Sequence, residues 1–233
     1  MLQNGYDLSM GQNKFEIMKT TSKICLTAAL ITGFGAFAWS QKDFINEMFD
    51  VDQLQQSIIT VASFYESHKQ DTGASRSLGT TAQGTLVNGK LVPYYGENFE
   101  YFDSSSYLGG RAFLNDRVLK TIIEVYDTLA VHHPGRRFHL MECSLKNGGH
   151  IPGHRTHQNG LSIDVMVPVV QAGTPYYALD SLGGWHYMLD FNNDGELLTD
   201  TTVTIDFNLL AEHVYLLNKI GKKHKVKVAK TIL

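Results

Sequence analysis

The sequence predicts an α+β domain, a small mixed or antiparallel sheet with flanking helices. Three observations carry that prediction. The chain has 233 residues, 43% hydrophobic and 18% charged, the composition of one ordinary globular domain. Two stretches, 114–129 and 207–217, repeat apolar residues at helical spacing. Short strand-like runs are scattered irregularly around them rather than in a regular βαβ alternation.

The elements follow in order. Residues 43–70 form a helical stretch with a glutamine-rich polar face, ending at the turn-forming residues 71–75. This reads as an N-terminal appendage, 41–76, ahead of a domain over 77–233. Residues 77–110 are rich in glycine, tyrosine and serine, with Asn88-Gly89 as a hairpin turn. Leu114, Val118, Ile122, Val125 and Leu129 recur every three or four residues, so they share one face of a helix that His133-Pro134-Gly135 stops. Residues 138–143, 161–170, 185–191 and 201–205 read as strands, the third by alternation of Trp185, Tyr187, Leu189 and Phe191. Phe207, Leu210, Val214 and Leu217 mark a second helix with Asp206 as N-cap. Val226 and Val228 alternate early in a final strand, 225–233.

Composition excludes several classes. A net charge of −3 and a pI near 6.3 provide no basic face for nucleic acid. Residues 18–40 read as a secretory signal: Lys19 and Lys23 precede an apolar run from Ile24 to Phe37, and Ala38-Trp39-Ser40 offers a small-residue cleavage site. That run is shorter than the roughly 20 residues of a membrane span, so the mature chain is expected to have no stable membrane insertion. Residues 1–17 read as an over-extended start, with Met18 as initiator. Cys25 lies in the signal and Cys143 is then alone. Its setting in an apolar strand makes it an inert buried thiol rather than a nucleophile.

Ten histidines are the unusual count, and six of them (His132, His133, His139, His150, His154 and His157) fall within 26 residues. His154 and His157 occupy a glycine-flanked loop, after which Gly160 permits a turn into the apolar run carrying Asp164. Imidazole and carboxylate together are donors that zinc takes. A carboxylate between Ile163 and Val165 must be paired, hydrogen-bonded or metal-bound, because burying it bare is costly. These residues alone admit two readings, a metal site or a polar loop whose aspartate pairs with a neighbour such as Arg155.

The segment Gly153-His154-Arg155-Thr156-His157-Gln158-Asn159-Gly160-Leu161-Ser162-Ile163-Asp164 resembles the G-H-x-S/T-H-Q-x-G-L-x-x-D signature of the penicillin-insensitive murein endopeptidases. These are zinc peptidases related to lysostaphin and the D-Ala-D-Ala carboxypeptidases. Ser77-Leu78-Gly79, Gly84, Leu91-Val92-Pro93, Gly96, Arg111 and Gly148-Gly149 follow the family's order, so the resemblance covers about 77–170. It implies His157 and Asp164 as zinc (Zn2+) ligands and His154 as a catalytic residue lining the metal centre. It implies peptidoglycan as substrate, with metal-activated water hydrolysing the D-alanyl–meso-diaminopimelyl cross-link and a histidine-type base taking the proton. A periplasmic or secreted location agrees with the signal.

The chain departs from the family in one respect. The family takes its third ligand from a C-terminal His-x-His pair, and none occurs here. His186 is placed on a strand near the site, His213 on a helix surface and His224 in a solvated turn. Because the last strand has no evident partner, the sequence reads as C-terminally truncated. The alternative function is accordingly a non-catalytic peptidoglycan-binding relative or an inactive fragment. Residues 190–195 open like an EF-hand loop, but Thr201 stands where its last glutamate belongs, so they read as a hairpin turn. Tyr94, Tyr95, Tyr101 and Tyr107 read as core and loop packing, and Lys219, Lys222 and Lys223 as a helix C-terminus.

Overall fold

A computed structural model describes residues 51–69 and 72–232. The signal, the early start and the first part of the helical stretch lie outside the described residues. The fold is α+β, with short, mostly antiparallel sheets and flanking helices.

Helix α1, Val51–His68, brings Val61 into the core with Phe64 and Tyr65 against it. Strands β1, Arg76–Gly79, and β2, Gly84–Val87, form an antiparallel hairpin. Its turn falls at 80–83, where Thr80 N–H donates to the Gln83 carbonyl at 2.9 Å. The expected hairpin at Asn88-Gly89 is therefore corrected. Asn88 does turn the chain at φ 55°, but β3, Lys90–Leu91, pairs with β5, Phe113–Leu114, rather than with β2.

The middle of the domain is the extended run 138–144. Its first part, β6 (Phe138–Leu140), lies parallel to β4, Phe99–Tyr101. Farther on, Cys143 N–H donates to the Arg111 carbonyl, and Ser144 and Phe113 exchange backbone hydrogen bonds. On the other edge Met141 N–H donates to the Asp164 carbonyl and Asp164 N–H to the Glu142 carbonyl. The predicted strand 138–143 is thus one extended ribbon that changes partners along its length. The predicted strand 161–170 is regular only at its end, as β7 (Val169–Gln171); before it, Val165 makes a single bridge to Leu140.

Two helices cover this ribbon. Asn115 caps α3, Asp116–His132, by accepting from Arg117 N–H, and Asp206 caps α4, Phe207–Lys223, by accepting from Leu209 N–H. On α3 the apolar face read from the sequence, Val118, Ile122, Val125 and Leu129, is the buried one. On α4 the reading is corrected, since Phe207 is exposed and Val214 and Leu217 only half-buried, while Leu209, Leu210, His213, Leu216 and Ile220 turn inward because that face meets α3. A short helix α2, Ser104–Leu108, is capped by Asp103. Tyr101 and Tyr107 are fully buried, and their hydroxyls donate to the Arg111 and Val92 carbonyls at 3.0 and 2.6 Å, as expected of core tyrosines.

A four-stranded antiparallel sheet follows, in the order β8 (Thr174–Pro175), β7, β10 (Asp200–Ile205) and β9 (Glu196–Leu197). The turn at 192–195 connects Phe191 to Leu197 across an antiparallel bridge, so the hairpin reading holds over the calcium-loop one. The predicted strand at 185–191 is corrected. Ala178–Met188 is a 3-10 segment kinked at Gly183, and its alternating aromatics do not line a sheet face. The predicted last strand is corrected too, since residues 225–232 carry no strand. Its Val226 instead seats against the core beside Gly221, so packing rather than pairing accounts for the apolar residue there.

Candidate metal centre

The loop 147–160 is fastened at several points before it presents a side chain. Gln158 N–H donates to the Thr81 carbonyl at 3.0 Å, Gly149 N–H to the Gln158 carbonyl at 2.9 Å, and Gly160 N–H to Ser144 Oγ at 2.8 Å. Gly160 has φ +75°, and a Cβ there would lie 2.8 Å from the Asn115 nitrogen. Only glycine gives both that backbone and that approach. Asn115 couples the loop to the rest of the fold: its N–H donates to the Gly160 carbonyl, its side chain caps α3, and its amide donates to Ser77 Oγ. Ser77, Gly148 and Gly160, separate motif positions in the sequence, therefore serve one loop.

His157 sits at the bend with φ 74°, a left-handed conformation that costs a non-glycine residue of order 1 kcal/mol or more. Its side chain is buried, with Nε2 3.2 Å from Asp164 Oδ1. His154 follows a turn closed by its N–H on the Ile151 carbonyl, and its Nδ1 lies 4.0 Å from Asp164 Oδ2. The two imidazoles stand at 88° with centroids 5.2 Å apart. Asp164 is fixed by both of its backbone bonds to the 138–144 ribbon.

One nitrogen of each histidine and one oxygen of Asp164 all lie within 4.8 Å of each other, a group that could hold a metal ion. Donors around a tetrahedral ion with bonds of about 2.1 Å stand roughly 3.4 Å apart. The 3.2 Å between His157 Nε2 and Asp164 Oδ1 meets this, while His154 Nδ1 stands 4.0 Å from the other oxygen, Oδ2. Two imidazoles and a carboxylate are also a donor set chemically suited to such an ion. His157 Nδ1 is buried without a partner, so the ring is held through Nε2 and its own backbone.

Burial opposes ionisation of Asp164, but the His157 hydrogen bond and charge, the Tyr187 hydroxyl and the nearby His154 outweigh it. The carboxyl lies below its ordinary range. The anion needed for binding a cation is thus present at neutral pH.

Sequence reasoning paired His157 with Asp164 and placed His154 beside them, and the structure brings all three together. The other histidines go elsewhere. His132 and His133 bracket Glu212 at 2.6 and 2.7 Å, His139 lies 3.4 Å from Asp180, and His150 is exposed. His224 bonds Glu124 at 2.8 Å rather than standing in a solvated turn. His213, expected on a helix surface, is buried at 2% exposure between Tyr126 and Phe138, because α4 turns that face onto α3. Cys143 is buried and burial pushes its thiol well up, so it is inert as expected.

Two residues at the site were missed. Tyr187 donates to Asp164 Oδ2 at 2.7 Å, from a position that alternation had assigned to a strand's apolar face. Glu142, 4% exposed, accepts from Ser106 Oγ at 2.9 Å and from Arg111 at 3.3 Å directly behind Asp164. No local signal marks either one, since both acquire their partners through contacts distant in sequence. No protein-family model matches the chain, and no curated protein matches it.

Proposed function

We propose that this protein is a zinc-dependent endopeptidase acting on peptide cross-links of peptidoglycan, outside the cytoplasm. The observation that carries the proposal is the convergence of His154, His157 and Asp164 on one constrained loop, in a segment that resembles the murein endopeptidase signature. His157 and Asp164 would hold the ion, and His154 lines the same centre. Zinc supplies a Lewis acid that activates water and polarises the scissile amide.

The chain's own residues do the rest. His154, partly exposed, is near enough to take a proton at Nδ1 or to lend that nitrogen as a third donor. Tyr187 and the Glu142 backbone hold Asp164 in place. The backbone bonds of 148–160 fix His157, so little reorganisation is needed at the centre. One observation favours a second reading, a peptidoglycan-binding relative without turnover: the sequence has no His-x-His pair.

The test is zinc titration and turnover of cross-linked muropeptides by the wild type, His157→Ala and Asp164→Asn. Stoichiometric zinc with turnover that both variants lose, at unchanged melting temperature, supports the endopeptidase. Zinc and wall binding without turnover supports the second reading. Absence of zinc binding overturns the endopeptidase, and absence of binding to peptidoglycan overturns the second reading.

A further inference from the structure

Asp164 is approached from the side opposite His157 by a residue from a remote part of the chain. Tyr187 lies near the end of the 3-10 segment Ala178–Met188, 23 residues on, and its hydroxyl donates to Oδ2 at 2.7 Å. Its ring also stands edge-on to His154, with centroids 5.9 Å apart at 76°. One side chain thus touches the carboxylate and one imidazole of the group.

The two carboxylate oxygens have different partners. Oδ1 faces His157 Nε2 at 3.2 Å, while Oδ2 is taken by Tyr187. The Tyr187 hydroxyl donates to Oδ2 at 2.7 Å although the residue is 47% exposed. Metal-binding carboxylates are ordinarily held by such outer partners, whose loss typically costs 10–100-fold in affinity.

We propose that Tyr187 is a positioning residue for the metal centre: by occupying Oδ2 it presents Asp164 through Oδ1 alone and restrains the carboxylate from rotating or chelating with both oxygens. This rests on the metal reading above and adds a residue, and a denticity, that reading does not contain. The surrounding segment supports it. Ala178–Met188 has no fully buried side chain, with Trp185, Met188 and Tyr187 at 73%, 70% and 47% exposure, and Leu179 packs against the Val169–Leu197–Val203 cluster. Leu179 and the His139–Asp180 approach at 3.4 Å attach the segment to the body of the domain, leaving the Tyr187 bond free to act on Asp164.

The experiment is a Zn2+ titration of the full chain against a chromophoric chelator, with wild type, Tyr187→Phe and the neighbouring Met188→Ala. Tyr187→Phe should weaken Zn2+ binding at least tenfold, with an unchanged metal-free melting temperature, and Met188→Ala should bind like wild type. Loading with Co2+ gives a second readout: loss of the restraint should lower the visible absorption as coordination rises from four toward five. A third measurement needs no variant, since the Tyr187 ring 13C resonance of the wild type should shift with the Zn2+ binding midpoint. Wild-type affinity and an unchanged Co2+ spectrum in Tyr187→Phe would overturn this inference alone. An unmoved Tyr187 resonance in a zinc-loaded wild type would do the same. Absence of Zn2+ binding by the wild type would overturn the metal reading itself.

Discussion

Replacing His213 by leucine should change how stability depends on pH. The imidazole is 2% exposed, lies against the rings of Tyr126 and Phe138 at 5.2 and 5.9 Å, and has an Nε2 without a hydrogen-bond partner. Burial in this apolar setting pushes its pKa down from 6.5 to about 4. Between those values the unfolded chain binds a proton that the folded chain refuses, so stability falls as pH drops from 6.5 toward 4. At 1.36 kcal/mol per pH unit, that window corresponds to about 3 kcal/mol.

Asp180 titrates in an overlapping range with the opposite sign. Burial pushes its pKa up to about 6, so it favours the folded state as pH falls. Being present in both proteins, it drops out of their difference. Urea unfolding of wild type and His213→Leu from pH 7.5 to pH 4 should show the variant at least as stable at pH 7.5, because an unpaired buried polar atom is removed. It should then gain about 3 kcal/mol relative to wild type by pH 4. Parallel curves, with a constant gap at every pH, would refute the argument.

Two further outcomes are expected. Tyr126 is fully buried with a hydroxyl that has no partner, so Tyr126→Phe should stabilise the fold by about 1 kcal/mol and raise Tm by about 2–4 °C, read by calorimetry. Gly160→Ala forces a side chain onto a +75° backbone with its Cβ 2.8 Å from Asn115. It should destabilise by about 2 kcal/mol and weaken zinc binding together, whereas His157→Ala should affect binding alone; paired melts and titrations distinguish them.

How far the sequence could be read depended on the range of the interactions involved. The stripe from Leu114 to Leu129 placed α3 within a few residues of its observed bounds, and Asp206 was read correctly as the cap of α4. Both are local properties, set by residues one or two turns apart. The seven-residue spacing of His157 and Asp164 was legible too, because one glycine turn is enough to fold the loop back onto the run that follows. The strands were harder. Those of two or three residues have too little periodicity to read, and their partners are distant: Phe99 pairs with Phe138 and Lys90 with Leu114. At 185–191 the alternation was real, but a kink at Gly183 turned it into a 3-10 segment.

The sequence by itself determined the composition class, the two long helices, and the glycine turn by which His154, His157 and Asp164 could converge, since each is written in neighbouring positions. Only the tertiary structure decided that His213 is buried, that β2 turns away from β3, and that Tyr187 grips Asp164 from the far side. Those outcomes depend on which surfaces meet once the chain is compact. A side chain's partner across space is chosen by packing and backbone pairing of the whole domain, not by the residues beside it.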